Sequence, residues 1–229
     1  RCIRYAGVFS NCGFMGFPFL QSVFAGHASL SEIMIYGAVV IAVFNILSWT
    51  LGVFLITGDK SAVSVKKIFL NPVIISVVLG FILFIALPAP IVDLAAEGSA
   101  GDKILTKFME VLGYLASMVT PASMIVIGIK LAGCNLKGLF LDKSAYAAAG
   151  LKLIVMSLVA MLGVVFLPVS EEIKYTIFFL LSMPCATSAT MLAVQFGGDS
   201  DFASVAVLLS TVLSVVTIPL MFALFKLVA

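Results

Sequence analysis

Phe9-Ser10-Asn11-Cys12-Gly13-Phe14-Met15-Gly16-Phe17-Pro18 is poorly composed for a plain lipid-facing helix. It lies inside a long apolar run, yet it holds an amide, two glycines and a proline. In a helix interior Gly costs roughly 1 kcal/mol relative to Ala, and Pro roughly 3. Pro18 also has no N–H to donate to the carbonyl of Phe14, which then needs another partner. In hydrocarbon a freed backbone group is tolerated only where protein or a water-filled cavity satisfies it. The stretch is therefore either a helix broken beside a polar site or a helix packed tightly against a neighbour.

Composition sets the solvent. The 229 residues are 62% hydrophobic and only 10% charged, with a mean hydropathy of +1.25, whereas soluble domains carry about 25% charged residues. An all-α polytopic membrane protein follows, since the alternating strands of an outer-membrane barrel give no unbroken apolar runs of roughly 20 residues. A net charge of +2 gives no reason to expect a nucleic-acid partner. His27 and the four cysteines (Cys2, Cys12, Cys134, Cys185) show neither metal-ligand spacing nor a disulfide framework, so no metal or cofactor is expected. Cys12 and Cys185 read as small buried thiols. No nucleophile with a base and no cluster of His and carboxylates suggests an enzyme. Arg1 reads as a cut end, with no secretory signal after it.

Seven spans are predicted, at roughly 5–25, 31–57, 71–89, 107–130, 145–168, 174–196 and 203–228, each long enough for a core of about 30 Å. Residues 58–70, with Lys60, Lys66 and Lys67, form a cytoplasmic interfacial linker, and Asp93 to Lys107 a second interfacial segment. Thr120-Pro121-Ala122-Ser123 interrupts the fourth span. One side of the membrane receives Arg1, Arg4, Lys60, Lys66, Lys67, Lys130, Lys137, Lys143 and, by snorkelling, Lys152. The other receives Lys103, Lys107, Lys174 and Lys226, a split of nine against four among thirteen. The positive-inside rule makes the first side cytoplasmic and leaves the C-terminus outside a multi-pass cytoplasmic-membrane protein.

Residues 9–26 overlay 181–198 without a gap: Ser10 meets Ser182, Leu20 meets Leu192, Phe24 meets Phe196 and Gly26 meets Gly198. Five crossings separate the two copies, so they traverse the membrane in opposite directions. Gly- or Pro-interrupted spans at matching places in inverted repeats point to a transporter binding site. The expected organisation is 1–57 as the last two helices of a first repeat, with its crossover helix at 5–25. Residues 71–229 then form a complete five-helix second repeat, with its crossover at 174–196. Three further spans are expected upstream, for about ten in all.

The Ser10-to-Pro18 motif, Asn71-Pro72, Pro88-Ala89-Pro90-Ile91, Gly197-Gly198-Asp199-Ser200-Asp201-Phe202-Ala203-Ser204 and Leu209-to-Pro219 occur in this order over the whole chain. Together they resemble the auxin efflux carrier family in its short bacterial form. The resemblance implies ten helices in two inverted five-helix repeats, as in bile-acid symporters and sodium/proton antiporters. It also implies a scaffold and a transport domain, with broken helices crossing near the substrate. Family members carry small organic anions, from malate and malonate to the indole carboxylate auxin.

A carboxylate entering the membrane needs donors without a costly fixed charge, and a half-helix N-terminus offers unpaired N–H groups and about half a positive charge. Candidate substrate-binding residues are Asn11, Gly13, Gly16, Asn45, Ser123, Ser182, Thr187 and Ser188, with Pro18 and Pro184 breaking the two crossover helices. For Gly13, Gly16 and Ser182, tight helix packing is the competing role. Asp199 and Asp201 either cap the last span or form a coupling or gating site. Glu110 and Lys174 read as interfacial, and His27 belongs to a short turn. The expected partners are a small organic anion, the bilayer, a coupling proton or sodium ion, and a second copy through the scaffold domain. An anion channel and a proton- or sodium-coupled symporter of another small solute remain as alternatives.

Overall fold

The computed structural model describes residues 1–59, 72–86, 99–118, 121–122, 125, 129, 132 and 142–228. Helix is the only extended regular structure among them, as a bilayer interior demands of a spanning chain. The first segment is interrupted. Helix α1 (Cys2–Val8) ends, Phe9 turns extended, Asn11 leads into a wide turn with i→i+5 bonding over Cys12–Gly16, and α2 (Phe17–Val23) follows. Helix α3 (Leu30–Leu47), a wide turn (Ser48–Gly52) and α4 (Val53–Thr57) form one continuous rod. Then come α5 (Pro72–Ala86) and α6 (Ala100–Ser117). Helix α7 (Lys143–Gly150), a wide turn (Leu151–Met156) and α8 (Ser157–Val165) make a second rod. Helix α9 (Glu171–Ser182) and α10 (Ser188–Gln195) flank another extended break, and α11 spans Ser200–Val228.

Leu30–Thr57, Lys143–Val165 and Ser200–Val228 are each long and apolar enough to cross a membrane. The outward stripe of the first is Ile35, Val39, Val43, Leu47 and Leu51, all exposed at i, i+4 spacing. Such a stripe suits lipid or another helix, not water. Asp142 starts α7 as an N-cap, its carboxylate accepting from the Ser144 N–H at 2.8 Å. The expected fourth span begins differently. Helix α6 starts seven residues early, where the Ser99 hydroxyl accepts from the Asp102 N–H at 3.1 Å. This cap makes helix of part of the segment expected to be interfacial. Lys107 and Glu110 form an i, i+3 ion pair of 2.8 Å on its surface. Of the expected Thr120–Ser123 interruption Pro121 and Ala122 are described, both helical, and of the 58–70 linker only residues 58 and 59; the rest lie outside the described residues.

Contacts at the two ends fix the directions of the helices. At one end the Arg1 guanidinium donates to the Thr57 carbonyl, and Gly198 lies against Cys2 and Ile56. Ala145 packs there with Val205 and Leu209. At the other end the Ser29 hydroxyl donates to the Glu172 carboxylate at 3.2 Å, and Tyr175 stacks edge-on with Phe225. Cys2–Val23, Lys143–Val165 and Ser200–Val228 therefore run one way, and Leu30–Thr57 and Glu171–Gln195 run back. The helices after both breaks end at a glycine in the left-handed region, Gly26 (φ 80°) and Gly197 (φ 68°), where a side chain would be strained.

The core divides at the level of the breaks. Toward the Arg1 end small residues dominate: Ala6, Ala148, Ala186, Ala189, Ala193, Ala203 and Ala206 pack around Tyr5 and Phe9. Small side chains let helix backbones approach closely, which is how membrane helices gain packing energy. Toward the Ser29 end the core is bulky, with Leu20, Ile33, Phe178, Phe179, Leu180 and Phe225. Between them lies the crossing.

Candidate functional site at the helix crossing

The two extended breaks meet each other. The Asn11 N–H donates to the Pro184 carbonyl at 2.8 Å, and the Ala186 N–H donates to the Phe9 carbonyl at 3.0 Å. Ser10 and Cys185 thus form an antiparallel bridge. Each break satisfies backbone groups that the other frees, which answers the requirement set by hydrocarbon. The remaining donor at the centre, the Cys185 N–H, goes to the Ser210 hydroxyl of α11 at 3.1 Å. Pro184 lies in its break. Pro18 does not: it occupies the first turn of α2, seven residues beyond Asn11, where a missing N–H is tolerated. The interruption in the first segment is made at Phe9–Asn11 instead.

Ser10 faces Cys185, and the run from break to left-handed glycine is 16 residues after the first break (Ser10 to Gly26) and 12 after the second (Cys185 to Gly197). The difference is about one helical turn. The wide turn at Cys12–Gly16 lies within the longer run.

Lys152 holds the crossing from the side. It is 0% exposed, and its ammonium donates to the Ser10 hydroxyl at 2.6 Å, the Leu181 carbonyl at 2.9 Å and the Val8 carbonyl at 3.3 Å. Three donors meet three acceptors. The Ser10 hydroxyl in turn donates to Leu181 at 3.0 Å. The expectation that Lys152 snorkels to the cytoplasmic surface is wrong. It lies nine residues into its rod, about 14 Å from the end, and two helix C-termini offer it nearer acceptors. Removing it from the loop charges leaves eight against four, with the same sign.

A second cluster sits one turn away on α1. The Tyr5 hydroxyl shares hydrogen bonds with Ser48 Oγ (2.5 Å) and Ser188 Oγ (2.7 Å), joining the rod of α3 to the start of α10. Gly52 makes room for this ring: a Cβ there would come within 2.5 Å of Tyr5. Two of the wide turns among the described residues supply these clusters, with Ser48 and Lys152 respectively. Such turns occur frequently at functional sites.

The expected binding residues separate by environment. Asn11 Nδ2, Ser182 Oγ and Thr187 Oγ1 are buried with no hydrogen-bond partner among the described residues. Ser188 is held by Tyr5. Gly16 is pressed against the crossing helix, where a Cβ would lie 2.7 Å from Leu180 and 3.1 Å from Met183, while a Cβ on exposed Gly13 would meet nothing. Asn45 is half-buried on α3, one turn before Ser48. Ser123 lies outside the described residues. The Asp199 carboxylate accepts from the Phe202 N–H at 2.9 Å and so caps α11, and Asp201 is exposed in its first turn. Cys12 and Cys185 are free and buried. Sequence reasoning missed Tyr5 and Ser48 and misplaced Lys152. The available signal was a lysine in mid-span, which is expensive in hydrocarbon without a purpose.

Comparison with known sequences follows from this geometry. Residues 60–222 match the family described as Membrane transport protein. The chain is 28% identical over 222 residues to a protein of Methanothermobacter thermautotrophicus named as an uncharacterized transporter. The match covers 95% of the chain and 66% of that relative, so the chain spans just under two thirds of its length. No solved structure matches.

Proposed function

The chain belongs to the membrane transport protein family, which agrees with the resemblance of its motifs to auxin efflux carriers, and we propose that it moves a small organic carboxylate across the cytoplasmic membrane. The reading rests above all on Lys152. A buried cation lies at the crossing with no acidic side chain paired to it among the described residues. Three unpartnered polar groups, Asn11 Nδ2, Ser182 Oγ and Thr187 Oγ1, lie in the same crossing segments. The three donors of Lys152 are already spent on the Ser10 hydroxyl and the Leu181 and Val8 carbonyls. Lys152 therefore acts on the anion through its field, not through a hydrogen bond. At an effective dielectric of 20, a carboxylate about 8 Å away gains about 2 kcal/mol. A neutral donor set supplies the direct contacts.

In this reading residues 1–57 close one inverted repeat, 58–70 link the halves, and 71–229 form the other repeat, with Asn45, Ser123 and the backbone at Gly13 completing the substrate path. The two interrupted segments, with the Lys143–Val165 rod that Lys152 ties to them, then move as one body against the remaining helices, exposing the crossing to each side in turn. The C-terminus faces outward, with Ser29 and Glu172. Thermal unfolding of the intact gene product in detergent tests substrate class. Dicarboxylates such as malonate and malate, or an aromatic acid such as indole acetate, should raise Tm saturably, and the corresponding amines should not. Stabilisation by amines alone would reject an anion site.

A further inference from the structure

We propose that Lys152 is a built-in substitute for a coupling cation, so that no inorganic cation binds at the helix crossing. The Val8 carbonyl ends α1 and the Leu181 carbonyl lies one residue from the end of α9. Both belong to the last turns, whose carbonyls lack helical partners and carry the negative ends of the two helix dipoles. In carriers with discontinuous helices, such half-helix ends coordinate the transported sodium ion or proton. Here the same kind of oxygen set, two carbonyls and the Ser10 hydroxyl, is filled by the chain's own ammonium at 2.6–3.3 Å. The wide turn at Leu151–Met156 carries Lys152 to that place.

The geometry argues for the charged amine. The Ser10 hydroxyl gives its proton to the Leu181 carbonyl at 3.0 Å, so all three neighbours turn oxygen lone pairs to the amine, and a neutral amine would set its own lone pair against one of them. The other charges of the rod and its neighbours lie away from this point: Lys143 is exposed at the rod's end, Asp199 caps α11, and Lys174 pairs with Glu171 at 3.1 Å. The charge is fixed to the moving body, so it travels with the crossing and is not released on either side. A carrier built this way needs no sodium gradient to complete its transport cycle.

The experiment uses the intact protein, as wild type and as Lys152→Ala and Lys152→Met variants. Thermal unfolding is followed in sodium, choline and methylammonium chloride. The wild type should unfold at the same temperature in all three salts. Lys152→Ala removes the ammonium's three bonds, leaving only the Ser10–Leu181 bond of the cluster, and its Tm should fall by about 10 °C. Methylammonium, entering the space left, should restore it saturably, whereas Lys152→Met, with the space filled, should stay low. A saturable rise of wild-type Tm with sodium would overturn the proposal. So would a Lys152→Ala protein as stable as wild type, or one that methylammonium does not restore. If Lys152→Ala does not fold, the wild-type salt series still decides. The inference rests on the carrier reading only for its consequence in transport: absent flux would reject the carrier while leaving the tether tested by these melts.

Discussion

Asn11→Ala separates a binding residue from a packing residue by the sign of two changes. The Asn11 side chain is 2% exposed, and its Nδ2 has no partner among the described residues. An unpaired buried donor costs about 1–3 kcal/mol, so its removal relieves the substrate-free protein by that amount. Loss of packing offsets most of the relief, and Tm should stay within about 3 °C of wild type. With substrate bound, a hydrogen bond from this amide to a carboxylate contributes about 1.5–3 kcal/mol. Its loss weakens affinity roughly 10- to 100-fold. Isothermal titration of the purified protein with malonate or indole acetate reads the affinity, and scanning calorimetry reads the stability. Asn11→Asp goes further, since it sets a negative charge against the anion and should abolish measurable binding. A fall in Tm beyond about 5 °C with unchanged affinity would show that Asn11 braces the crossing and binds nothing.

Gly16→Ala should cost about 1–3 kcal/mol of stability, because its Cβ falls 2.7 Å from Leu180. Gly13→Ala, which meets nothing, should leave stability unchanged; equal Tm values for the two variants would refute the packing difference. Tyr5→Phe leaves Ser48 and Ser188 without their shared partner, so it should lower stability by about 1–3 kcal/mol. A double-mutant cycle with Ser48→Ala should then be non-additive by calorimetry. Asp199→Ala should lose about 0.5–2 kcal/mol of helix capping while Asp199→Asn retains it. Should Asp199→Asn keep its stability yet lose transport, the charge serves the gate as well as the cap.

Most of the spans were legible because a bilayer demands apolar side chains on both the packed and the outward faces of a helix, so hydropathy marks the span whatever its burial. Expected limits at 31–57, 145–168 and 203–228 fall within three residues of Leu30–Thr57, Lys143–Val165 and Ser200–Val228. The opening stretch was correctly suspect, but its proline misled. A proline is tolerated in a first helical turn, and the interruption was made by extended backbone that pairs with a distant strand of matching form. Nothing local in Phe9-Ser10-Asn11 announces that pairing, since its partner is 175 residues away. The one-turn difference between the runs after the two breaks was hidden for a similar reason: identities count residues, not turns. Lys152 was misread because distance to the membrane surface was weighed without the alternative acceptors. Helix C-termini created by a break are invisible until the break is placed.

The measurement that bears most directly on the central claim is uptake of radiolabelled malonate and indole acetate into liposomes containing the intact protein. It is run under imposed pH, sodium and voltage gradients, beside Asn11→Asp. The account predicts saturable uptake of a carboxylate by the wild type, unchanged when choline replaces sodium, and none by Asn11→Asp. Absence of carboxylate flux under every gradient, or equal flux through Asn11→Asp, would contradict it.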